Sequence, residues 1–234
     1  MKLEVLHHFE SGDQLAEQAA TDLAEAITSL LPSQRVHIVL TGGTVGIKTL
    51  AALAPLLKSV DLKKIELWWG DERFVDASSH ERNFVQASEA LLSKVSIPAT
   101  NLHQMPAAGD LSLAEAASKF STHIDKVAPR FDIVLLGMGS DGHVASLFPN
   151  SAATSSGELV VAEANSPKPP SERISLSYSA LCSAREVWFL VSGPDKADAV
   201  NQVFSGRDLP ATKVSGQQLT RWYLDTQAAA ATSF

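Results

Sequence analysis

A chain of 234 residues that is 45% hydrophobic can bury one sizeable core, and α/β chains of this length commonly stay undivided, so a single domain over 1–234 is expected. The formal charge of -7 and the lack of any run of Lys and Arg exclude a polyanionic surface such as nucleic acid as the main partner, although a few convergent cations can still hold a small anion. One cysteine, Cys182, excludes an internal disulfide and a multi-cysteine zinc site and suits a reducing compartment.

The opening segment from Met1 to Glu10 mixes Lys2, Glu4, His7 and His8 with apolar residues and lacks the apolar centre of a signal peptide. With no stretch of membrane-spanning length, a cytoplasmic location and no membrane partner are expected. Ser11 and Gln14 form a capping box, and Leu15, Ala19, Leu23, Ile27 and Leu30 recur at helical spacing until Pro32, which predicts a helix over 12–31. Val36 to Leu40 reads as a buried strand running into Thr41-Gly42-Gly43-Thr44, with a helix from Val45 to Leu57 behind it. Ile65 to Trp69 is a second strand, delivering the chain to Gly70-Asp71-Glu72-Arg73, and Asn83 to Leu92 is a helix.

Leu113 to Val127 is amphipathic, and Phe131 to Leu136 is a continuous apolar strand ending at Gly137-Met138-Gly139-Ser140-Asp141-Gly142-His143. Further strands are expected near Leu159 to Ala164, Arg173 to Ser177 and Val187 to Val191, and a helix near Asp195 to Phe204. Ser166 to Ser171, with three prolines around Lys168, reads as an irregular loop, and the tail from Ala228 to Phe234 reads as dispensable. Short apolar strands alternating with longer helical periods define an α/β fold, with a largely parallel, Rossmann-like sheet flanked by helices and additional strands in the C-terminal part.

Three strands of this scheme end in polar loops, and open parallel sheets bind ligands beyond those ends. Gly42 and Gly43 allow close approach of backbone amides to an anion, and the helix that follows adds its positive end; a plain tight turn is the alternative. The loop is not a P-loop, because Ile47 rather than glycine precedes Lys48. Gly137 to Gly142 matches G-x-G-x-x-G, but Pro149 and Asn150 interrupt the crossover helix that a nicotinamide site needs.

Asp141 and His143 are a carboxylate and an imidazole one glycine apart: a neutral histidine can take a proton from water, and the carboxylate can orient its ring. The glycines around them offer amides for an oxyanion, and an exposed loop with an incidental histidine is the alternative. No third ligand at a recognisable spacing points to a metal. Arg73, Arg82, Lys168 and Arg173 are candidate phosphate contacts, and Asp71 can bind sugar hydroxyls or hold an arginine; surface ion pairing is the alternative.

Taken together, Leu40 to Thr44, Trp69 to Val75, Glu81-Arg82-Asn83 and Gly137 to Pro149, followed by Arg173 to Ser177 and Val191 to Lys196, resemble the glucosamine-6-phosphate isomerase/6-phosphogluconolactonase family, and within it the lactonases. The resemblance implies a fold similar to glucosamine-6-phosphate deaminase and ribose-5-phosphate isomerase. It also implies hydrolysis of 6-phospho-D-glucono-1,5-lactone, a small phosphorylated sugar lactone, in the oxidative pentose phosphate pathway, without a cofactor. It assigns His143 as base and Asp141 as its polar neighbour, with Gly42, Gly43, Thr44 and Arg73 toward phosphate. Asp71, Gly139, Gly142, Lys168 and Arg173 complete the candidate substrate site. Thr44-Val45 departs from the serine-proline pair frequent in the family, but keeps a hydroxyl.

Two other readings stand beside it. A glucosamine-6-phosphate deaminase would continue its D-G-H segment toward an Asn-Glu pair, where this chain has Ser146-Leu147-Phe148-Pro149. A non-catalytic sugar-phosphate sensor would need an output module, and no helix-turn-helix segment is left unassigned.

Overall fold

Strands covered on both faces must be apolar at successive positions, and Val36–Leu40 (β2), Ile65–Trp69 (β3) and Ile133–Leu136 (β5) meet that condition. In the computed structural model, which describes residues 3–127, 130–152 and 157–232, they form the middle and one side of a six-stranded parallel sheet. Leu3–Phe9 (β1), Glu186–Val191 (β8) and Leu219–Asp225 (β9) complete it in the order β1-β9-β8-β5-β2-β3.

Period-two alternation divides the sheet's side chains between two cores. Ile38, Leu40, Leu67, Trp69, Leu135, Trp188 and Tyr223 face one side and pack against helices Gly12–Leu30 (α1), Thr44–Leu56 (α2) and Asn83–Ala90 (α3). Val39, Trp68, Val134, Leu136, Phe189 and Trp222 face the other, meeting Leu113–Val127 (α4), Ala197–Phe204 (α6) and a second sheet. That sheet is antiparallel and three-stranded, ordered Asp71–Arg73 (β4), Arg173–Leu176 (β7) and Val160–Glu163 (β6). A short helix, Tyr178–Cys182 (α5), follows it. The expected α/β architecture is therefore present, with the additional C-terminal strands divided between the two sheets.

The departures from expectation have physical causes. β1 and β9 pair in parallel from Leu3↔Leu219 to Phe9↔Asp225, yet neither is a continuous apolar run. β1 is an edge strand and keeps Glu4, Leu6 and His8 toward solvent, while Arg221 in β9 lays its guanidinium 5.0 Å from the Trp188 ring centre. Asp71–Arg73, read as loop, is a strand because Asp71, Glu72 and Arg73 pair with Ser175, Ile174 and Arg173. The helix expected from Asp195 begins as a 3-10 turn at Pro194–Lys196.

The tail is the main correction. Ala228 and Ala229 are buried in the core beside α6, and the Ala228 amide donates to Asp225 Oδ1 at 2.8 Å. Asp225 in turn accepts from Ser192 Oγ and the Gly193 amide at the end of β8. Removing residues 228–234 should lower unfolding free energy by about 1–3 kcal/mol, from two lost buried methyl groups and the hydrogen bonds of the Ala228 and Ala229 amides to Asp225. Urea denaturation of the shortened chain checks this, and an unchanged midpoint would restore the tail as dispensable.

Candidate active site

Chain order places the site. From β2 the chain steps to β3 on one side, while β5, on the other side of β2, leads outward to β8, so the loops after β2 and β5 lie together where the winding reverses. Thr41 Oγ1 accepts the Gly137 amide at 3.2 Å and joins the two loops directly. Gly43 adopts φ +78°, a left-handed conformation that suits glycine, and hands the chain to α2, whose N-terminus has no side-chain cap. Asn83 packs so closely on Gly42 that a Cβ there would sit 2.1 Å from Asn83 Oδ1.

The loop after β5 folds back on itself. The Gly139 amide donates to the His143 carbonyl at 2.9 Å and the Gly142 amide to the Gly139 carbonyl at 3.0 Å. These two amides, expected to serve an oxyanion, are therefore occupied within the loop. Asp141 Oδ1 lies 2.5 Å from His143 Nδ1, and the ring packs on Phe148 with centroids 4.5 Å apart. A Cβ at Gly139 would lie 2.0 Å from that same Nδ1, so glycine at 139 is the condition for the pair to form. Partial burial of Asp141 pushes its carboxyl upward, but the hydrogen bond and charge of His143 outweigh this and bring it down to about 2. An ionised Asp141 fixes the proton on Nδ1, which leaves Nε2 as the ring nitrogen without a protein partner among the described residues.

His143 lines a cavity of about 260 Å³ together with Gly42, Gly43, Gly139, Asp71, Arg73, Lys168 and Arg173. Thr44 instead faces an adjoining cavity of about 460 Å³, toward Lys48 and Ser192; Gly142 lines neither of the two, and Asp141 stands behind the histidine. Lys196 borders both cavities and was missed by sequence reasoning, although Val191 to Lys196 offered a cue like that of the other loops, a glycine two residues after a parallel strand.

The cations differ in availability. Arg82 is buried, 3.4 Å from Glu72 Oε2 and bonded to the Met105 carbonyl, so it is not a phosphate contact. Glu72, raised by burial against the pull of its amide and Arg82 partners, caps α3 through the Asn83 and Phe84 amides. Arg173 spends Nε and Nη2 on the carbonyls of Lys168, Pro169 and Pro170, and so holds the proline loop that carries Lys168. Arg73 donates Nη1 to the Glu81 carbonyl and keeps a buried Nε without a partner. Asp71 holds an arginine rather than an open carboxylate: Asn83, Ser146 and Arg173 surround it. Among the described residues no cluster of three or more His, Cys, Asp or Glu is arranged to hold a metal, and no helix is long and apolar enough to cross a membrane.

Fold and site define an open α/β protein whose cavity joins a glycine-rich, helix-capped loop and several cations to a carboxylate-oriented histidine. The chain belongs to the family described as glucosamine-6-phosphate isomerases/6-phosphogluconolactonase, whose model matches residues 10–222. It is 43% identical to the 6-phosphogluconolactonase of Mycobacterium tuberculosis over 95% of this chain and 96% of that one. The crystal structure of 6-phosphogluconolactonase from Thermotoga maritima superimposes with a TM-score of 0.87 at 28% identity, covering 95% of this chain and 99% of that one. A monomeric glucosamine-6-phosphate deaminase shares the fold, with a TM-score of 0.83 at 19% identity over 99% of this chain and all of that one.

Because the folded Asp141 pKa of about 2 lies below the unfolded value of 3.8, its stabilising contribution is present above pH 3.8 and is lost as pH falls toward 2. The difference in unfolding free energy between the native chain and Asp141→Asn should therefore shrink as pH falls from about 4 toward 2. A difference that stays flat from about pH 4 to pH 2 would contradict the Asp141–His143 interaction.

Proposed function

We propose that the protein hydrolyses 6-phospho-D-glucono-1,5-lactone to 6-phospho-D-gluconate, with His143 as general base. The observation that carries this reading is the single small cavity shared by the unpartnered Nε2 of His143 and the side chains of Arg73, Lys168 and Lys196. The 6-phosphogluconolactonases among its relatives support the choice of substrate. The single cysteine suits a reducing compartment and supports the proposal that the protein works in the cytoplasm.

In this reading the phosphate binds near the Gly42–Gly43 loop and the cavity cations, and its binding energy orients the lactone at the distant reacting end. Nε2 takes a proton from water as its oxygen attacks the lactone carbonyl carbon. The tetrahedral adduct collapses with cleavage of the bond to the ring oxygen, which receives the proton from the imidazolium, and the new acid ionises. Asp141 stays charged throughout and stabilises the imidazolium. Since the Gly139 and Gly142 amides are occupied within the loop, those two do not oppose charge on the carbonyl oxygen in this reading.

Hydrolysis of freshly generated 6-phosphogluconolactone, measured near neutral pH against a no-enzyme control, tests the reading. Acceleration is expected for the phosphorylated lactone and not for the unphosphorylated one. His143→Ala should lower kcat by about 10²–10⁴-fold with KM changed only a few-fold. Ammonia release from glucosamine 6-phosphate, or binding of the lactone without turnover, would replace the proposal with the deaminase or sensor reading.

A further inference from the structure

His143 and Asp141 sit on the same loop, so their mutual hydrogen bond fixes the ring relative to the loop but not relative to the rest of the cavity. What fixes the loop lies two and three residues further on. Ala145 adopts φ +49°, the left-handed region that costs a residue with a Cβ on the order of 1 kcal/mol or more. Nothing in alanine itself favours that conformation, so the residues on either side must impose it.

Ser146 is the tether immediately after it. It is completely buried, donates its amide to Ser175 Oγ at 3.1 Å, and donates its hydroxyl to Asp71 Oδ2 at 2.7 Å. Val144 and Leu147 close the turn around the strained residue, with the Leu147 amide donating to the Val144 carbonyl at 2.9 Å. Ser175 and Asp71 are directly paired across β7 and β4, so both bonds of Ser146 run into one rung of the small antiparallel sheet.

Asp71 is itself immobilised. Asn83 Nδ2 donates to its carbonyl at 2.8 Å and to Oδ1 at 3.2 Å, and Arg173 Nη1 lies 3.9 Å from Oδ2. The carboxylate is thus the point where the histidine loop, the start of α3 and the arginine of the proline loop are tied together. On the other side of His143 the loop is held by the Ala211 amide, which donates to the Gly142 carbonyl at 3.0 Å, and by the Thr41–Gly137 bond.

We infer that Ser146 and Asp71 are positioning residues that set His143 in place by holding Ala145 in its left-handed conformation. The inference rests on the lactonase reading for its readout and assigns neither residue a contact with substrate. Loss of the Ser146 hydroxyl would let Ala145 relax and shift the imidazole, and displacements on the order of 1 Å from the productive geometry can cost about 10²-fold in turnover.

The test measures kcat and KM for 6-phosphogluconolactone on the full chain, with thermal unfolding in parallel. Ser146→Ala should lower kcat by about 10-fold or more while KM stays within about 3-fold, and Asp71→Asn should lower kcat at least as far. The pair combined should lose little beyond Asp71→Asn alone, because the Ser146–Asp71 bond is among the connections that variant already disturbs. Ala145→Gly placed in the Ser146→Ala background should recover part of kcat, since glycine reaches φ +49° without strain. A general loss of structure would not be repaired by adding glycine.

An unchanged kcat in Ser146→Ala, a loss confined to KM, or no recovery with glycine overturns the inference while leaving the lactonase reading intact. A native chain that fails to accelerate lactone hydrolysis overturns the reading, and the inference with it.

Discussion

The closure of the loop after β5 is the constraint on which the site depends. Gly139 donates to the carbonyl of His143, and the missing Cβ at Gly139 leaves the space in which His143 meets Asp141. Backbone bond and side-chain pair therefore require each other. A side chain at 139 would push the ring from its carboxylate, and a loop without the 139–143 bond would not bring the two residues to 2.5 Å. The proton distribution of the imidazole, the nitrogen left for chemistry and the cavity wall all follow from this local arrangement.

The surrounding fold supplies the remainder by placing two loops of different strands side by side. β2 and β5 are neighbours in the sheet although far apart in sequence, and their C-terminal ends bring the Gly42–Gly43 turn beside the histidine loop. The small antiparallel sheet adds a second wall: β4 brings Arg73 and Asp71, and β7 brings Arg173. Charges on that wall divide by burial. Asp71, Glu72, Arg82 and Arg173, bonded to backbone groups, to Asn83 and Ser146 or to one another, hold chain segments in place, whereas Lys168 and Lys196 line the cavity, Lys196 with Asp195 beside it at 2.8 Å.

This division marks the limit of what could be read from the chain. β2, β3 and β5 were legible because strands buried on both faces must be apolar throughout, and α1 and α4 because a helix on a sheet buries one stripe. β1 and β9 were not, because an edge strand and its cation-bearing neighbour lose that pattern. The histidine, its carboxylate and the glycine turn were legible from residue type and strand-end position. The holding role of Asp71, the burial of Arg82 and the occupied amides of Gly139 and Gly142 depend on partners distant in sequence or on a loop closing on itself, and no local pattern encodes them. Lys196 is the intermediate case, since its glycine-marked strand end was visible but not used.

Asp141 Oδ1 at 2.5 Å from Nδ1 selects, in the neutral His143 ring, the tautomer protonated on Nδ1 and leaves Nε2 of this cavity-lining residue without a proton. Nitrogen-15 NMR of the His143 imidazole, assigned by comparison with His143→Ala, reads this tautomer directly. A pyridine-like Nε2 and a protonated Nδ1 are expected in the neutral ring. A neutral ring protonated on Nε2 would contradict it, because that nitrogen could not then accept a proton from water.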